Sequence, residues 1–189
     1  TAPSVAGTLT FSLVVTDSMG LVSDPASVTI TVEEAPKYLI YLPRVLGQEQ
    51  RPNLVITELS ADQNGLKVVN SNIGDAANQA DFWVDLYVNP SQQPTANTVW
   101  QKIAPAGAVW LVKGTLEPGQ SITLTQSSPF YVADYSYASY AAGDQLYAYV
   151  DSYHSQNSYG VELESDESDN LAGPVTATGT GAFAGAGLQ

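Results

Sequence analysis

The sequence predicts an all-β protein, one β-sandwich of about seven short strands preceded by a shorter two-stranded segment. Three observations predict it. Apolar residues alternate with polar ones at period two in segment after segment; Asn-Gly and Pro-Gly turn chemistry separates those segments; and no window keeps the three-and-four spacing of an amphipathic helix. Val, Thr, Ile and Tyr, which suit a pleated and half-buried surface, are abundant. The 189 residues are 44% hydrophobic and 13% charged, enough apolar material for one sandwich and part of a second.

The first strand is Leu9, Phe11, Leu13 and Val15 alternating with Thr10, Ser12, Val14 and Thr16, and Asp17-Ser18-Met19-Gly20 turns the chain. Val28, Ile30 and Val32 against Thr29 and Thr31 return antiparallel after the loop residues Ser23-Asp24-Pro25. These residues, with Thr1 to Val5 and Gly20-Leu21, resemble the closing end of a PKD-like or cadherin-like immunoglobulin-type repeat, with its earlier strands absent. Residues 1–36 are thus read as a partial repeat. The run Tyr38 to Leu46 is too apolar for a free linker and too short to span a bilayer, so it is expected to dock in extended form, with a hinge at Gln48 to Pro52.

From Asn53 to Pro174 the alternation is regular. Phe82, Val84, Leu86 and Val88 oppose Trp83, Asp85, Tyr87 and Asn89, while Leu146, Ala148 and Val150 oppose Tyr147, Tyr149 and Asp151. Turns fall at Asn64-Gly65, Gly74-Asp75, Asn89-Pro90 and Pro118-Gly119. The motifs Pro52 to Ile56, Asn72-Ile73-Gly74-Asp75-Ala76, Phe82 to Pro90, Leu116 to Ser121, Tyr147 to Ser152 and Leu163 to Asn170 stand in the order of a CARDB domain, the cell adhesion related domain found in bacteria. The block 53–174 resembles that family over nearly its whole length. The resemblance implies an immunoglobulin-like β-sandwich and a non-enzymatic module. At Asn70-Ser71-Asn72 a strand interior carries polar residues, and a bulge is expected there. Residues 175–189, rich in Gly, Ala and Thr, read as a low-complexity tail and a candidate donor strand.

Nineteen acidic against 6 basic residues give a net charge of -13, which repels polyanions and anionic lipid surfaces, so nucleic acid is not an expected partner, and with no apolar run near the roughly 20 residues of a bilayer span no membrane insertion is expected. With no cysteine there is no disulfide and no thiolate metal site. The single His154 lies in a polar loop read as exposed, and no serine sits in a nucleophile elbow, so no catalytic constellation is assembled.

Asp151, Glu162, Glu164, Asp166, Glu167 and Asp169 crowd the end of the sandwich. Glu162 and Glu164, two apart on an extended segment, share a face and are read as a solvated edge rather than an acid–base pair. Calcium takes about six to eight oxygen ligands, and Asp151, Glu164, Asp166, Glu167 and Asp169 are the candidate ligands, although their spacing is not that of an EF-hand. A solvated acidic loop is the competing reading. Tyr131, Tyr135, Tyr137 and Tyr140, with Trp83, Trp100 and Trp110, offer either packing or a flat platform for cell-surface glycans.

The expectation is an extracellular, cell-surface structural or adhesive protein. Its partner would be itself, joined head-to-tail by strand complementation into a filament, because two strands cannot cover their own apolar faces. The alternative is a non-catalytic accessory region of a large secreted hydrolase.

Overall fold

The computed structural model describes residues 7–32 and 49–183. The chain divides into two compact units, Thr1–Val45 and Leu46–Gln189. The apolar run Tyr38 to Leu46 lies outside the described residues.

In the first unit β1 (Gly7–Leu13) pairs antiparallel with β2 (Ala26–Val32). The register sets Leu9 opposite Ile30 and Phe11 opposite Val28, so the apolar half of each alternation forms one continuous stripe. That stripe is exposed, with Phe11 55% and Val28 58% accessible. Asp17 is a turn former: its Oδ1 accepts hydrogen bonds from the backbone N–H of Met19 (2.8 Å) and Leu21 (2.9 Å).

The second unit is all-β, with several antiparallel sheets arranged consistently with a β-sandwich. A three-stranded sheet runs β3 (Leu54–Asp62), β4 (Gly65–Asn72), β7 (Ser121–Leu124). A four-stranded sheet runs β10 (Leu171–Thr176), β9 (Gln145–Val150), β5 (Phe82–Val88), β6 (Ala106–Val112). Leu54, Leu59, Leu66, Val68 and Leu124 from the first pack with Phe82, Val84, Leu86, Trp110, Leu146 and Val150 from the second in one core. The period-two patterns put these residues there, since each inward residue is followed by one that faces out.

The outer face of the four-stranded sheet is not left to solvent. Tyr87, Val109 and Tyr149 form a second buried cluster with Trp100 from α1 (Trp100–Ile103), a single helical turn. Strand β8 (Ser139–Tyr140) pairs with β11 (Gly181–Ala182).

Three local expectations change. The polar stretch Asn70-Ser71-Asn72 is regular strand, and the irregularity sits across from it between Ile56 and Glu58 of β3. Thr57 fills that site, hydrogen-bonding Ser71 Oγ at 2.9 Å. Arg51 and Pro52, expected to end the hinge, are pinned to the domain: Arg51 C=O accepts from the N–H of Asp75 and Ala76, and Pro52 C=O accepts from Ser165. Residues 175–183, expected as the start of a loose tail, belong to the domain's own structure through β10, β11 and the buried Phe183, which packs against Tyr140 at 5.8 Å between ring centroids. Residues 184–189 lie outside the described residues.

Candidate functional site

Two places bring chemistry-bearing side chains together, the acidic end of the sandwich and the outer face of the four-stranded sheet.

At the acidic end, Glu162 and Glu164 are buried, which overturns the reading of a solvated edge. Residues 161–170 are loop rather than strand, and backbone donors from distant segments draw the carboxylates in. Glu162 Oε1 accepts from the N–H of Gln79 (2.6 Å) and Ala80 (2.5 Å). Glu164 Oε2 accepts from Leu54 N–H, and its Oε1 from Asn170 Nδ2 at 2.8 Å. Asp151 accepts with both oxygens, from the N–H of Val161 (2.9 Å) and Glu162 (2.7 Å). Gly160 makes room for that arrangement: with φ +106, a side chain there would meet the Asp151 carboxylate and carbonyl.

Glu167 Oε1 accepts from Glu164 N–H at 2.7 Å, and Asp169 Oδ2 accepts from Asn53 Nδ2 at 3.0 Å. Asp166 is exposed and holds the hydroxyl and N–H of Ser168. Of the five residues read as calcium ligands, then, Asp151, Glu164, Glu167 and Asp169 gather at one end, and Asp166 faces solvent. Among the described residues no three Asp, Glu, His or Cys side chains converge as a cation site.

Burial drives the titration of these groups. It pushes Asp151 up to about 7 against the pull of its two N–H donors, and it pushes Glu164 up to about 9, with the charges of Asp151 and Glu167 adding to the effect. Asp166, hydrogen-bonded by Ser168, is held below the usual carboxylate range.

On the outer sheet face Asp85 lies at the floor of a cleft of about 520 Å³. Its Oδ2 accepts from Trp100 N–H (3.1 Å) and its Oδ1 from Ser152 Oγ (3.0 Å), and burial raises it to about 6. Trp83, Tyr135 and Tyr153 line the walls, with Gln101 and Lys102 on the rim. Trp83 and Tyr135 meet edge to face with ring centroids 6.1 Å apart. Tyr135 and Tyr153 are 54% and 39% exposed, whereas Trp110 and Tyr140 are core. Trp100 is anchored by its indole N–H to Tyr135 C=O at 2.8 Å.

His154 is half-buried rather than exposed, and its Nδ1 accepts from the N–H of Gln156 (3.2 Å) and Asn157 (3.1 Å), which orders the loop it sits in. Sequence reasoning missed Asp85, Gln101, Lys102 and Tyr153. Asp85 carried a usable signal, a charged residue between Trp83 and Tyr87 on one strand face.

Comparison with protein-family models, with curated proteins and with solved structures finds no match.

Proposed function

We propose that the chain is a non-catalytic, structural or adhesive part of an extracellular surface protein, an immunoglobulin-like sandwich of the CARDB kind that binds saccharide in the cleft over its four-stranded sheet. The cleft carries the reading. Its volume of about 520 Å³ lies within the roughly 300–1,000 Å³ of small-ligand sites. Exposed ring faces of Tyr135 and Tyr153 offer rigid apolar area to the C–H faces of a sugar, and Gln101 and Lys102 supply hydrogen bonds at the rim.

The non-catalytic reading is supported by what the acids do. Asp85, Asp151, Glu162 and Glu164 accept hydrogen bonds from groups that hold the fold, and His154 Nδ1 is taken up by the backbone N–H groups of Gln156 and Asn157.

Binding of the full chain to an oligosaccharide panel tests the proposal, with Tyr153→Ala and Trp83→Ala as variants. Saturable binding weakened about tenfold or more by Tyr153→Ala, with an unchanged melting curve, is expected. No binding across the panel removes the saccharide reading, and turnover of a glycan, ester or peptide removes the non-catalytic one. The same cleft serves the alternative, an accessory region that holds a secreted hydrolase on polysaccharide.

A second reading, self-association, is favoured by the exposed stripe of β1 and β2. Leu9, Phe11, Val28 and Ile30 stand in register on an open two-stranded sheet, the surface that added strands from a second copy would cover. Sedimentation at rising concentration tests it. A chain that stays monomeric throughout eliminates it.

A further inference from the structure

We infer that Asn53, Asp169 and Asn170 form the core of a binding site for a hard divalent cation, calcium by preference, at the acidic end of the second unit. The inference does not depend on the saccharide cleft.

Three side-chain oxygens there are buried without a hydrogen-bond partner among the described residues, Asn53 Oδ1, Asp169 Oδ1 and Asn170 Oδ1. Asn53 is 7% exposed and Asn170 1%. Buried acceptors of this kind are rare in folded proteins, and three in one cluster call for a common cause. The asparagine amides cannot be turned round to remove the problem. Asn53 Nδ2 donates to Asp169 Oδ2, and Asn170 Nδ2 donates to Val150 C=O as well as to Glu164 Oε1, so flipping the amides would set one oxygen against a carboxylate and the other against a backbone carbonyl.

These hydrogen bonds also link the three residues into one network. Asn53 is tied to Asp169, Asn170 follows Asp169 in the chain, and Glu164, bonded to Asn170, holds Leu54 next to Asn53. The oxygens left over are therefore all acceptors, beside the acidic side chains of Asp169 and Glu167.

A water molecule brings only two protons, so one water leaves an acceptor unmatched, and it does nothing for the negative charge of Asp169 and Glu167. Arg51, the basic side chain that acts on Glu167, is already paired with Glu49 at 2.7 Å. A cation satisfies all three oxygens and the charge together. Oxygen-only donors of mixed carboxylate and amide type suit calcium, which accepts irregular sites completed by water, better than zinc or copper.

Two of the three proposed donors are asparagine oxygens, so the site differs from a convergence of acids, which the described residues lack. Of the residues singled out from sequence it keeps Asp169 as a ligand, with Glu167 supplying charge and Glu164 holding the Asn170 amide in place. Asp166 faces solvent, and both oxygens of Asp151 are held by backbone N–H groups.

The test is calorimetry and thermal melting of the full chain with calcium alone, from chelator to about 5 mM, the range of extracellular calcium modules. One ion per chain and a melting midpoint that climbs with calcium are expected. Asp169→Asn should weaken binding by about tenfold or more, whereas Asp166→Asn should leave it unchanged. Heats and midpoints indifferent to calcium and chelator overturn the site, as does equal loss in both variants or a structure at high calcium with only water between these oxygens. If Asp169→Asn does not fold, the response of the unaltered chain to calcium against chelator decides alone.

Discussion

Asn70 is fully buried on the inward face of β4, flanked in register by Ile56 of β3 and Ile122 of β7, and among the described residues neither its amide oxygen nor its nitrogen has a hydrogen-bond partner. A polar group left unmatched in the interior costs roughly 1–3 kcal/mol of desolvation. Leucine has the same branched frame of heavy atoms, with methyl groups somewhat larger than the oxygen and nitrogen they replace, so Asn70→Leu removes that cost against a smaller overpacking penalty. The expected gain is about 1–3 kcal/mol, or roughly 3–9 °C in melting temperature for a unit of this size. Urea unfolding followed by tryptophan fluorescence reads it as a higher midpoint at unchanged slope. A lower midpoint refutes the reasoning.

The remaining predictions concern titration, tail and turn. Asp85 and Asp151 titrate near 4 when unfolded and at about 6 and about 7 when folded, so between those values the native state holds more protons. Their stabilisation is complete below pH about 4 and is lost as pH rises through 6 to 7; urea midpoints in chelator should therefore fall from pH 5 to pH 8, and a flat or rising profile counts against it. Phe183→Ala should cost about 3–5 kcal/mol, because the ring fills the core beside Tyr140; a loss under about 1 kcal/mol would show that this segment is dispensable. Gly160→Ala should destabilise by more than about 1 kcal/mol, from its positive φ and from collision with Asp151, and a neutral result in thermal melting would remove Gly160 from the account.

Much of the framework was legible because period-two patterns are local. Phe82, Val84, Leu86 and Val88 declare a face within seven residues, and the structure buries them together. What covers the opposite face was not legible. Trp83, Asp85 and Tyr87 are closed over by Trp100 and by the segments that carry Tyr135 and Tyr153, and nothing in a strand's own spacing announces which distant loop will fold across it. The tail misled for a similar reason. Gly179 and Gly181 look like flexible linker, but Gly179 lies where a side chain would strike the Asp62 backbone, and Gly181 lies against the Tyr140 ring. Their smallness permits close packing as readily as it permits disorder.

The acids show the limit most sharply. Spacing showed six carboxylates crowded together, and like charges two or three residues apart ordinarily mean a solvated loop. Their actual partners are remote in sequence: Glu162 reaches Gln79 across 83 residues and Glu164 reaches Leu54 across 110. A carboxylate that accepts backbone N–H bonds from another segment ties a long loop to the body of the domain, and here that tie acts in a chain without disulfides. Acidity in the segment 151–170 is therefore first a means of fixing the loop's shape. Once the backbone donors have been matched, the oxygens left without partners are the ones that should face a ligand, and they belong to Asn53, Asp169 and Asn170, where a count of acidic residues sees only one of the three.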